Sequence, residues 1–80
     1  MNMNTVNLTK DLKNHKAIVI LDGKEPPKDY ISVAGGFVSG HDVEVAIPKE
    51  LMSNRKLFNT LANQAKECLM KSMLFGLRGI

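Results

Sequence analysis

Eighty residues bound this chain to one domain with a marginal core, because a chain this short buries only about 60% of its unfolded surface. Cys68 is the only cysteine, so no disulfide can form within the chain. One Cys with two His (His15 and His41) offers too few ligands, at unhelpful spacings, for a structural zinc.

Eleven Lys and Arg against eight Asp and Glu leave a net charge of +3, which permits nucleic acid or an acidic protein as partner and requires neither. With disulfide and metal set aside, oligomerisation is the remaining route to added stability, and a homodimer is expected. There is no Trp, one Tyr and three Phe, so aromatic platforms for base stacking are sparse. The first sixteen residues lack the apolar stretch of a signal peptide, and no run approaches transmembrane length. A cytoplasmic protein with no membrane partner is the expectation.

Val6 and Leu8 alternate with polar neighbours, a weak strand signal. The polar stretch Lys10 to His15 predicts a turn or a single helical turn. Ala17 to Leu21 is apolar on both faces, which predicts a central strand covered on both sides. Asp22 to Asp29 reads as a loop, with an Asp-Gly turn and two prolines that cannot donate to a ladder. Tyr30 to Val38 predicts a second strand. Gly35-Gly36 inside it suggest a bulge, a bend or a close approach by another group.

Ser39 to Asp42 predicts a hairpin turn. In the next strand, Val43, Val45 and Ile47 point to a buried face, with Glu44 and Ala46 on a wetter one. Pro48 suits the first turn of a short helical segment running to Met52, and Ser53 or Asn54 can cap a long helix beyond it. From Asn54 to Phe75, Phe58, Leu61, Ala62, Ala65, Leu69 and Met73 recur at steps of three and four. Leu57, Cys68 and Phe75 widen that stripe, and Gly76 or Gly79 can end the helix.

Strands first and one helix last predict an α+β domain. It is a small antiparallel sheet of three to four strands followed by one long C-terminal amphipathic helix packed on one face. Residues 1–80 form a single domain, in which 1–15 can serve as an edge strand or a flexible arm. One helix covers only one sheet face, and the tail is rich in apolar residues. Leu69, Met70, Met73, Leu74, Phe75 and Leu77 are therefore the candidate dimer or partner interface.

No catalytic or cofactor motif is complete, so no cofactor and no enzymatic activity are expected. The glycines from Gly35 to Gly40 lack the Lys-Ser/Thr ending of a phosphate-binding loop, and no helix comes directly after them. His41 beside Asp42 is the one obvious base, in an expected exposed turn. Cys68 falls on or near the apolar helix face, where a small buried hydrophobe is its simplest role.

The basic residues carry the functional expectation. Lys10, Lys13 and Lys16 cluster, Lys24 and Lys28 flank the double-proline loop, and Arg55 and Lys56 stand with Lys49 around the helix start. Cations there oppose the helix dipole unless an anion binds. If they converge they form a phosphate-binding surface. Val45-Ala46-Ile47-Pro48-Lys49-Glu50-Leu51 resembles the strand–Pro–helix stretch of the AbrB/MazE-type swapped-hairpin family, which are dimeric DNA-binding regulators and antitoxins. The resemblance covers seven of eighty residues, and that family's subsequent Leu-Gly turn and Gly-Asp hairpin are absent here.

Two functions are expected from these residues. One is a small homodimeric regulatory protein that binds nucleic acid, RNA ahead of DNA, through phosphate contacts. The other is an inhibitor, antitoxin or adaptor that covers a protein target.

Overall fold

The computed structural model describes residues 6–78, with side chains through Leu74. A short helix, α1 (Lys10–Asn14), precedes three strands: β1 (Ile18–Leu21), β2 (Tyr30–Val38) and β3 (His41–Pro48). A 3-10 turn at Lys49–Ser53 then leads into the long helix α2 (Arg55–Arg78). The architecture is α+β, an antiparallel sheet followed by a long C-terminal helix. Among the described residues, no helix is long and apolar enough to cross a membrane.

The strand order is β1-β3-β2, so β3 is central and the Ala17–Leu21 segment is an edge, which corrects the expectation of a central strand. Both outer strands run antiparallel to β3 and hence parallel to each other. The segment 22–29 must therefore carry the chain back along the length of the sheet, across β3. The face holding α1 and α2 is closed to it, so it runs over the opposite face. Ile20 and Ala46 lie outside the helix-side core and are buried at 7% and 0% exposure, as a segment crossing the opposite face predicts. An edge strand that is apolar on both faces results. Ala46, expected on the wetter face, is fully buried for the same reason.

The helix-side core joins Leu12 of α1, Val43, Val45 and Ile47 of β3, and Leu61, Ala65 and Leu69 of α2. Each large side chain buried here contributes about 1.5–3 kcal/mol relative to exposure. Val6 and Leu8 form no strand, yet both pack against this core. Lys10 to Asn14 is neither an edge strand nor an arm. Thr9 caps α1 by accepting from the Leu12 amide at 3.2 Å, and Gln64 Nε2 of α2 donates to Asp11 Oδ2 at 3.1 Å.

The register irregularity in β2 falls at Val33, two residues before the glycines. It turns Val33 and Ala34 toward the same core, since both pack there. Gly36 answers to a close approach instead. A Cβ at that position would stand 3.3 Å from Met73 Sδ, so the missing side chain lets α2 settle onto β2. The hairpin is tighter than expected: Ser39 and Gly40 alone make the turn, at φ 51° and 86°, and His41 and Asp42 already belong to β3. Two left-handed central residues match the twist of the flanking strands.

Pro48 closes β3 and precedes the 3-10 turn; it is not in a helix. Asn54 caps α2, its Oδ1 accepting from the Leu57 amide at 3.2 Å. Thr60 is the only β-branched residue between there and Leu74, so little opposes the helix. Gly76 does not end it, and Gly79 lies outside the described residues.

Candidate nucleic-acid interface

The sheet has two ends. At one, β3 finishes at Pro48, and the register sets Tyr30 opposite it. At this end the chain enters β1 from α1, leaves the crossover segment into β2, and passes from β3 into the 3-10 turn. Lys16, Asp29, Tyr30, Pro48, Lys49 and Glu50 line a pocket of about 370 Å³ there. The Lys49 amide donates to the Asp29 carbonyl at 2.8 Å, which locks two walls of the pocket together.

Lys16 occupies its place at a cost. The Ala17 amide donates to the Leu12 carbonyl at 2.9 Å and the Lys16 amide to the Lys13 carbonyl at 3.0 Å. These paired bonds close the C-terminus of α1, a motif that favours glycine at the residue Lys16 occupies. Lys16 has φ 62°, in the left-handed region. A side chain there costs roughly 1–2 kcal/mol against the ordinary helical region. Strain held at a pocket wall points to a use for the side chain.

The residues that line the pocket therefore carry two ammonium groups, one phenol and two carboxylates. Tyr30 is half-buried, and the four charged residues are exposed. Among the described residues the one ion pair is His41–Asp22, so neither Lys16 nor Lys49 is held by a contacting carboxylate.

The expected basic set gathers only in part. Lys16 lines the pocket, and Lys28 lies two residues before Tyr30. Arg55 and Lys56 come after the 3-10 turn and open α2, whose first turn contains no acid. Lys10 and Lys13 are exposed on α1, which runs toward this end. Lys24 is elsewhere: its amide donates to the Leu21 carbonyl at 3.3 Å, in a turn at the hairpin end. Tyr30 was not singled out by sequence, and Lys49 only as one of the cations around the helix start. Only the pairing register brings residues 30 and 48–50 together.

His41 partners Asp22, not its neighbour Asp42, with Nδ1 3.1 Å from Asp22 Oδ1. This pair is at the hairpin end, away from the pocket. Of the residues expected at a partner interface, Leu69 is closed in the core at 2% exposure, and Met73 is half-buried against Gly36. Met70 and Leu74 are open, at 59% and 60%. The side chains of Phe75 and Leu77 lie outside the described residues. Cys68 is buried and free.

No family model, no curated protein and no solved structure matches this chain.

Proposed function

We propose that this protein binds single-stranded nucleic acid, RNA ahead of DNA, and acts as a small cytoplasmic regulator rather than an enzyme. The observation that carries this reading is the pocket in which Lys16, Lys49 and Tyr30 meet. Two ammonium groups suit successive phosphates, and a phenol ring suits a stacked base. The carboxylates of Asp29 and Glu50 can accept from a ribose 2′-hydroxyl, the group that separates RNA from DNA. Arg55 and Lys56 extend the positive surface along the strand's path. α2 spends its apolar face on the core, so recognition rests on backbone and single-stranded bases, not on a helix laid in a groove.

Fluorescence anisotropy with a mixed-sequence single-stranded RNA, measured across a salt series, tests the reading. Affinity should fall steeply with salt. Lys16→Ala and Lys49→Ala should each flatten the logarithmic slope by about 0.7, the loss of one phosphate contact on a single strand. Absent binding, or binding indifferent to salt, sinks the proposal.

One observation favours a second reading, a module that covers a protein target. Phe37, Met70 and Leu74 are large apolar side chains at about 60% exposure. A stoichiometric protein partner that survives high salt and nuclease would move the assignment there.

A further inference from the structure

β2 is the long free edge of the sheet. Among the described residues it pairs only with β3, and from Tyr30 to Val38 it carries no charge. Edges of this length normally carry charges, Pro or a bulge that discourages pairing. Here the bulge at Val33 is the one such device. The opposite edge, β1, has four residues and is flanked by Lys16 and Asp22.

A groove of about 280 Å³ runs beside the β2 edge, lined by Ala34 and Gly35 of the strand and by Lys66, Leu69, Met70 and Met73 of α2. No residue of β3 lines it, so it opens on the outer flank. We infer that this flank is a homodimer interface. β2 of one copy pairs antiparallel with β2 of a second about a two-fold axis at Ala34–Gly35, and the Met70–Leu74 stretches of the two α2 helices close over the joint.

Charge and area both select a second copy as the occupant. Two-fold pairing sets a surface against itself, which penalises any charge on the axis. β2 has none, and Lys66 is the only charge in the groove wall. An axis at Met70 sets Lys66 against Leu74 of the second copy, where the lysine stem can cover apolar surface. The two Lys66 ammonium groups stay about 12 Å apart along the helix, four residues to each side of the axis. The flank is about 30 Å of strand long. The molecule's shorter extents are 22 and 18 Å. That outline is on the order of 600 Å² per copy before side-chain relief is counted, close to the roughly 800 Å² of a standard interface.

The inference does not rest on the nucleic-acid reading. It gives that reading a geometry, a six-stranded sheet with the two pockets about 30 Å apart along the joined strands.

Sedimentation of the full chain, together with disulfide trapping, tests it. The native protein should sediment as a dimer. Met70→Lys should weaken self-association at least about tenfold, as loss of a central contact does, with an unchanged circular dichroism spectrum. Under mild oxidation Met70→Cys should form a linked dimer. Met52→Cys, equally accessible at 50% exposure on the 3-10 turn, should not, and neither should the native chain, whose Cys68 is buried. A native monomer at high micromolar concentration overturns the inference. A dimer that links through Met52→Cys and not Met70→Cys overturns it as well, whether or not Met70→Lys folds.

Discussion

The two ends of the sheet solve the same problem with different chemistry. Both require the chain to turn through left-handed backbone. At the hairpin end, Asp22 and Ser39 adopt φ 56° and 51°, and each is followed by a glycine that shares the turn. Asp22 also holds His41, with Nδ1 3.1 Å from its carboxylate. At the pocket end, Lys16 adopts φ 62° with no glycine beside it, and it shares a pocket wall with Lys49. Asp tolerates left-handed backbone because its short side chain bonds locally; Lys has no such compensation. One end is a finished turn. The other retains strain and open charge, the pattern expected where a ligand completes the structure.

Loosening the frame that separates the two ends should have the largest effect. Leu61→Ala should cost about 2–5 kcal/mol, the range for emptying a buried leucine site, because Leu61 of α2 is fully buried in the core cluster that also holds Leu12, Val45 and Ile47. Urea denaturation reads the loss, and both ends should fail in one transition. If Leu61→Ala costs less than a surface change does, Leu61 is not the keystone of the core.

Gly36→Val is a smaller break. It forces Met73 away from a 3.3 Å approach, and Met73 is flexible, so about 1–2 kcal/mol is expected, the low part of the overpacking range. Gly35→Ala at the neighbouring position meets Glu44 Cγ at an ordinary 3.6 Å and should cost less. Equal costs at the two glycines would show that α2 does not rest on β2 at Gly36.

His41→Gln probes the hairpin end. Its pairing with Asp22 is part-exposed, at 44% and 58% for the two side chains. Such a pair contributes about 0–1 kcal/mol, and screening places this one in the lower half. RNA affinity should not change. A change in affinity comparable to that of Lys49→Ala would move the interface to the other end of the sheet.

Much of this fold is legible in the chain. The three-and-four spacing from Phe58 to Met73 gives α2, and Ser39-Gly40 between alternating runs gives the hairpin. The place of β1 is not legible. A strand apolar on both faces normally means a central one, and only the crossover of 22–29 makes an edge strand look that way. Nothing in Gly23 to Asp29 distinguishes a loop that crosses a sheet from one that rounds its end.

The candidate site is half legible for a related reason. Lys16 stands out as one of a cluster, but its left-handed backbone depends on how α1 closes. Tyr30 joins Pro48 and Lys49 only through a register that composition does not encode. Lys24 looks as good as Lys28 along the chain, although the two sit at opposite ends of the sheet, because strand direction decides where each end of the loop lands.

Lys16→Gly tests the strained-lysine idea most directly, because it separates stability from binding in one protein. Glycine relieves the left-handed penalty, so urea denaturation should show a gain of about 1 kcal/mol. The same substitution removes one pocket ammonium, so single-stranded RNA affinity should fall and its salt slope should flatten by about 0.7. A more stable protein that binds less well is the expected result. Lower stability would show that Lys16 is not strained, and unchanged affinity would show that the strain serves something other than nucleic acid.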